Sequence, residues 1–385
     1  MVYLYICKRF VICSLFSMTL PYQKIKDMIF GVRPMVFSSR LIAENQIQPA
    51  SLDLTLGNRV HRISSSFLPK PNERIADILE ERTLYDFELK PGTILEPNSA
   101  YIIPLSEYVD LAPGIYGHAN PKSSIGRVGL FVRLLVDGSP RFDYIPPRYK
   151  GPLYLEVMPL DFVVKIHPGL SCNQVRFRSV GSYRVRSADL RLPHTRDGLL
   201  FSSQGVPLLQ EELVIGDGGL MLTVDLASRE IVGFRAKKDA TKAVDLAARG
   251  THEPSDFWEP ISRPKNGELI LVPNNFYLLA SRERVSFPPE FAGEMASYDA
   301  SSGEMRSHYA GFFDPAFGFS QGGSTAVLEV RAHNVPFRLT DGQIICKMVY
   351  ERMLEKPAKL YSQAIGSSYT GVGPKLSKHF KQTWE

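Results

Sequence analysis

Between residues 120 and 129 the chain reads NPKSSIGRVG, which sets Lys122, Ser123, Ser124 and Arg127 within six positions. An ammonium, two hydroxyls and a guanidinium on one turn make a cradle for phosphate oxygens, since each offers a charged or directional donor. The competing reading is a solvated polar turn. A later stretch, DASSGEMR (299 to 306), repeats the four-residue spacing with Ser302 and Arg306. Duplication alone would preserve it in either case. Two glutamates come next. Glu156 lies in GPLYLEV and Glu329 in STAVLEV, each among apolar residues of strand type. Period-two alternation sets Glu156 opposite Leu153, Leu155 and Val157. It is either a solvated strand residue or a carboxylate placed for acid–base work. Asp143 precedes Glu156 and Asp314 precedes Glu329, although Asp314 before Pro315 also fits a turn starter. Last is the tail KLYSQAIGSSYTGVGPKLSKHF (359 to 380), with Gly366, Gly371 and Gly373 set among Tyr361, Tyr369, Lys375 and Lys378. It reads as a lid over bound phosphates more readily than as a frayed terminus.

The elements that must position these residues occur twice. PNSAYIIPLSEYVDLAPGIYG (97 to 117) is echoed by PNNFYLLASRERVSFPPEFAG (273 to 293), and the Glu156 strand by the Glu329 strand, in the same order. We read a duplicated module, residues 40 to 180 and 211 to 355, each too long for a solenoid repeat. Both halves carry short alternating strands with Pro/Gly punctuation, which predicts an all-β sandwich or barrel. Residues 151 to 169 read as two strands around a turn. Helical patterns are few: residues 21 to 30 within an N-terminal segment 18 to 39, and residues 239 to 250, ending at a glycine suited to a C-terminal cap. Residues 181 to 210 read as a connector and 356 to 385 as the lid.

The bulk numbers exclude several classes. The chain has 385 residues, enough for two domains, with 44% hydrophobic and 22% charged residues, ordinary for a globular protein. A net charge of +5 without a Lys/Arg run suits a phosphorylated small molecule and gives no footprint for a nucleic-acid polymer. Cys7, Cys13, Cys172 and Cys346 form no C-x-x-C pair, so a cysteine-based zinc site is not expected. Reduced, buried cysteines in a cytoplasmic protein are the expectation. Residues 1 to 17 are apolar but interrupted by Lys8 and Arg9, too short to span a bilayer and without the layout of a signal peptide. They read as an extension upstream of Met18.

Taken together, QPASLDLTLG (48 to 57), PKSSIGRVGL (121 to 130), the glutamate strand GPLYLEV and the tail YTGVGPKLSKHF resemble the dCTP deaminase family of the trimeric dUTPase superfamily, in its long two-module bacterial form. The resemblance covers nearly the whole chain from about Met18. It implies two tandem dUTPase-like distorted β-barrel, or jelly-roll, modules in an all-β fold, assembled as an oligomer with sites between neighbouring modules. It implies hydrolysis of dCTP to dUTP and ammonia, supplying dUTP for thymidylate synthesis. Water attacks cytosine C4, a glutamate is the general base, and the S-x-x-x-R turn holds water and triphosphate. Mg2+ enters with the nucleotide triphosphate, no zinc is used, and dTTP and dUTP are further candidate ligands. A dUTP pyrophosphatase, or an enzyme performing both reactions, shares the fold. A non-catalytic nucleotide-binding β-module is the reading from another class.

The carry-over is divided. The turn fits better in module 1, where Lys122, Ser123, Ser124 and Arg127 all stand. The following Ala-x-x-x-Asp-Pro pattern fits only module 2, at Ala310 and Asp314. Val372 stands where the family tends to place a polar lid residue. One site built from the turn of module 1 with Ala310 and Glu329 of module 2 satisfies both fits, leaving Glu156 to a second site. Tyr369, Lys375 and Lys378 of the lid, with Arg306 and Asp314, complete the expected substrate contacts.

Overall fold

The computed structural model describes residues 18–179, 187–216, 218–297, 305–308, 311–362, 369 and 371–382. Both halves are built mainly of antiparallel strands. In the first, a sheet runs Thr83–Glu88, Arg59–Ile63, Tyr101–Asp110, Lys150–Pro159, Leu130–Val136, with Val36–Ser38 added on Tyr101–Asp110. In the second, the order is Trp258–Ser262, Ile231–Ala236, Tyr277–Val285, Ser324–Ala332, Met305–His308, with Leu200–Phe201 added on Tyr277–Val285. The two orders correspond strand for strand. A second sheet packs on each: Ser171–Ser179 lies at the centre of one, Ile344–Arg352 of the other. Leu54, Val175 and Phe177 from one sheet share a core with Ile103, Leu155 and Val132 from its partner. The expectation of an all-β fold with tandem modules holds.

The repeat is visible in side-chain chemistry too. Glu107 accepts from Thr55 N–H (2.9 Å) and Oγ1 (2.7 Å), as Glu283 does from Thr223 N–H (2.8 Å) and Oγ1 (2.6 Å). Asn98 and Asn274 both take the left-handed conformation that asparagine tolerates. The Tyr101 and Tyr277 hydroxyls accept from Glu96 N–H and Val272 N–H.

Of three local expectations, two hold and one is corrected. The 21–30 pattern forms the helix Tyr22–Phe30, which buries Ile25 and Met28. The helix expected over residues 239 to 250 does not form. Instead Val244–Asp245 pairs in parallel with Val164–Lys165 of module 1, and Val244 and Leu246 enter that module's core. The expected cap, Gly250, is a left-handed turn residue whose N–H donates to Lys378 O. Residues 151 to 169 form two strands around a turn, as expected. Lys150–Pro159 stays in the large sheet while Val164–Ile166 turns away to pair with Thr93–Leu95.

The segment ahead of module 2 contributes structure of its own. It contains a helix, Ser187–Asp197, and Leu190, Leu199 and Leu200 join the second core. Cys172 and Cys346 are buried and unpaired, while Cys7 and Cys13 lie outside the described residues, as does all of the N-terminal stretch 1–17. No helix among the described residues is long and apolar enough to cross a membrane.

Candidate active site

The strand Ile115–Pro121, in the second sheet of module 1, ends at a single helical turn, Ser123–Gly126, before the chain crosses to the first sheet at Leu130. This turn carries the sequence-predicted donors. Lys122 pairs with Asp53, which also accepts from Gln48 Nε2 (3.3 Å). Arg127 is buried, stacks on the Tyr369 ring 3.9 Å from its centroid, and donates from Nη1 to Lys375 O (2.9 Å). Ser124 O accepts from Ser377 Oγ (2.7 Å). The tail therefore closes directly on the turn.

Facing the turn is the Glu329 strand of module 2. Ser324–Ala332 is buried along its whole length, hydrogen-bonded on one side to Tyr277–Val285 and on the other to Met305–His308. Such a strand offers little freedom to a side chain it projects. Glu329 points at Gly126 so closely that a Cβ there would lie 2.4 Å from each carboxylate oxygen. Only a glycine admits that approach. Burial pushes the Glu329 carboxyl well above the usual carboxylate range, against the pull of the Arg127 and Arg331 guanidiniums. It has no hydrogen-bond partner among the described residues. Ser123, Arg127, Thr325, Glu329, Phe312 and Tyr369 line a common cleft. Turn and glutamate thus meet across the two modules.

Glu156 is placed otherwise. It is fully buried and accepts from Arg133 Nε (2.8 Å) and Nη2. Arg133 is its neighbour on the adjacent strand, held 3.5 Å from the Phe142 ring centroid and bonded through Nη2 to Ser66 Oγ (3.0 Å). Asp143 lies nearby with Oδ1 accepting from Leu134 N–H (2.8 Å). Burial pushes its carboxyl up to about 7, and the charge of Glu156 adds to that rise. This glutamate is neither solvated nor free.

Asp314 lies 3.9 Å from Arg176 Nη2, with its carboxyl pushed up to about 6 by burial. Asp53, Lys122 and Lys359 are in its field, so it belongs to the same charged neighbourhood as the turn. Burial lowers Lys375 and Lys378, with Arg127 pressing on the first and Lys122 on the second. Ser302 and Ala310 lie outside the described residues. Arg306 needs a correction. Its backbone is in the strand Met305–His308, paired with Arg331, the position that Phe131 occupies opposite Met158 in module 1. By this register Arg306 corresponds to Phe131 and not to Arg127. Sequence reasoning missed Gly126, Asp53, Thr325 and Phe312. All four stand inside stretches already singled out, but there each reads as an ordinary strand or turn residue until the fold brings it to the cleft.

Two family models match the chain: the N-terminal domain of 2'-deoxycytidine 5'-triphosphate deaminase over residues 17–181 and its C-terminal domain over residues 194–380. The crystal structure of 2'-deoxycytidine 5'-triphosphate deaminase from Agrobacterium tumefaciens aligns with a TM-score of 0.81 at 40% identity, covering 88% of this chain and 99% of that one. Among curated relatives, the dCTP deaminase of Ignicoccus hospitalis is 27% identical over 158 residues, 38% of this chain and 77% of its own. The dUMP-forming dCTP deaminase of Methanobrevibacter smithii is 28% identical over 142 residues, 36% of this chain and 69% of its own.

Proposed function

The chain belongs to the dCTP deaminase family, and on that premise we propose that it hydrolyses dCTP to dUTP and ammonia in the cleft between the module 1 turn and Glu329. The observation that carries this reading is the contrast between the glutamates: Glu329 faces Ser123 and Arg127 without a hydrogen-bond partner among the described residues, while Glu156 is tied to Arg133.

Glu329 takes a proton from water as its oxygen bonds to C4. That proton passes to the departing amine as the C4–N4 bond breaks and ammonia leaves, and the second water proton ends on N3 as the C4 carbonyl forms. Both acts are served by a carboxyl whose pKa is raised by burial, since a more basic carboxylate takes up the proton of water more readily and then has it to give. Ser123 orients the water, and Arg127 carries both the triphosphate and part of the charge balance of Glu329. Lys122, Ser124, Lys375 and Lys378 supply further donors to the phosphates, and magnesium enters with the triphosphate as part of the substrate. Tyr369, stacked on Arg127, keeps the guanidinium in plane. The product supplies dUTP for thymidylate synthesis.

The test is product analysis with dCTP and dUTP on the purified chain, with ammonia and pyrophosphate measured separately. Ammonia from dCTP with no pyrophosphate from either nucleotide is expected. Glu329→Gln should lose about 10²–10⁴-fold in ammonia release, and Glu156→Gln should keep substantial turnover per folded molecule. Equal losses in the two variants would sink the assignment of the base. Pyrophosphate from dUTP would move the reading to the dUMP-forming reaction.

A further inference from the structure

Two residues beyond Glu329 on the same strand, and therefore on the same face, stands Arg331. It is buried, and its guanidinium engages Asp161 with both terminal nitrogens, Nη1 at 3.2 Å from Oδ1 and Nη2 on Oδ2. Asp161 belongs to module 1, in the turn after the Glu156 strand, and its side chain is wholly shielded from solvent. Lys238 lies 3.7 Å from the same carboxylate. Gly129 makes the room. It takes a left-handed backbone, and a Cβ there would stand 2.1 Å from Asp161 Oδ2 and 3.2 Å from Arg331 Nη2. Phe276 lies under the guanidinium, 4.5 Å from centroid to Cζ.

We propose that the Asp161–Arg331 pair is a cross-module latch that fixes the Glu329 carboxylate against the Ser123 turn, with Arg331 a positioning residue for the deamination. The proposal rests on Glu329 being the base. Three observations converge on it. Glu329 and Arg331 share one strand face, so restraint of the second restrains the first. The pair is bidentate and buried, the geometry in which an Arg–carboxylate contact is most directional. Glu329 and Arg331 also line a common pocket with Gly126, Gly129 and Phe276. The latch has no copy in module 1, where Met158 occupies the place of Arg331.

The charged groups facing Glu329 are Arg127 from the turn and Arg331 from its own strand, and Leu278 and His308 occupy the neighbouring rungs. Asp161 and Lys238 face Arg331 in turn. Arg331 favours ionised Glu329, so removing it raises the pH at which the base becomes available.

The experiment compares Asp161→Asn, Arg331→Met, Arg331→Lys and Glu329→Gln in the full chain with dCTP, following kcat, KM, the pH profile of kcat/KM and the circular dichroism spectrum. Asp161→Asn and Arg331→Met should each lower kcat by about 10- to 100-fold with KM little changed, the cost of misplacing a reacting group. Arg331→Met should also move the acid limb to higher pH, and Arg331→Lys should restore its position and much of kcat. If Arg331→Met fails to fold, Asp161→Asn and Arg331→Lys carry the comparison. Wild-type kcat and pH profile in Asp161→Asn and Arg331→Met beside an inactive Glu329→Gln would overturn the latch and leave the base in place. A loss without a shifted limb, not repaired by lysine, would reduce the pair to a structural contact and overturn it too. An active Glu329→Gln would remove the base assignment, and the latch with it.

Discussion

The two glutamates differ in what surrounds them. A carboxylate gripped through one oxygen by a neighbouring guanidinium is fixed in orientation by that partner, so it is poorly placed to work on a water. Glu156 is in that state through Arg133. Glu329 is buried among apolar strand residues, with two guanidiniums near enough to moderate the cost of its charge and no described group hydrogen-bonded to it. Gly126 is the residue that permits this arrangement, and it yields a sharp prediction. In Gly126→Ala the added methyl occupies the space of both carboxylate oxygens. The far end of a glutamate side chain can rotate away, and alanine favours the helical turn more than glycine does. The thermal midpoint should therefore hold or rise while kcat falls by about 10- to 100-fold, the penalty for a misplaced base. Steady-state ammonia release and a melting curve on the same preparation decide it. Unchanged kcat would mean that the close approach has no catalytic role.

At the scale of elements, the tail is the most exposed to test. Gly371 N–H donates to Ser324 Oγ (3.1 Å) and Gly373 N–H to Thr325 Oγ1 (3.2 Å), so the glycine-rich stretch is sewn to the Glu329 strand. Its anchor lies further on. Phe380 is fully buried, edge-on to Phe257 at 5.4 Å and to Trp258 at 6.1 Å, within the core of module 1. Truncating a buried phenylalanine typically costs about 3–5 kcal/mol. Because this one pins a terminal segment, part of that cost should appear as local release. Phe380→Ala should raise KM for dCTP and speed proteolytic clipping of the tail, with a smaller loss in kcat. A fall in melting temperature with unchanged KM and clipping would show that the anchor serves only the core. The sequence made the strands and their repetition legible because alternation and Pro/Gly punctuation are local signals. The segment 239–250 misled because its partners are remote: Ala240, Ala243, Val244 and Ala247 recur at the spacing of a helix face, and pairing with Val164–Lys165 decided the outcome. The closing of Glu156 was equally hidden. Arg133 reads as one polar residue in an apolar strand until register puts it opposite the glutamate.

The whole molecule is held across its middle by buried charge. Arg176 and Arg178 of module 1 reach Glu351 and Glu294 of module 2, and His118 Nε2 sits 3.3 Å from Glu294 Oε2. Against its own burial, Glu294 is held down to about 2 by His118 and the two arginines. Its contribution to stability is complete above the ordinary carboxylate range and is lost as pH falls toward 2. Asp143 and Asp314 work in the opposite sense. Their carboxyls are raised to about 7 and about 6 by burial, so the native state holds protons that the unfolded chain releases near 4. The stability they lend is full below the ordinary aspartate range and is lost as pH rises through 6 to 7. The two contributions therefore oppose each other: Glu294 favours the folded state as pH rises out of the acid range, and Asp143 and Asp314 favour it as pH falls below 6 to 7. Asp143→Asn isolates one arm. Asparagine keeps the Oδ1 acceptor for Leu134 N–H, suits the left-handed backbone at this position, and cannot ionise. Melting temperatures of wild type and Asp143→Asn, taken from pH 4 to pH 8, should diverge steadily, the variant gaining on wild type as pH rises. Parallel curves would mean that Asp143 does not retain its proton in the folded protein, and that the filled pocket around Glu156 carries its charge at neutral pH at no cost to stability.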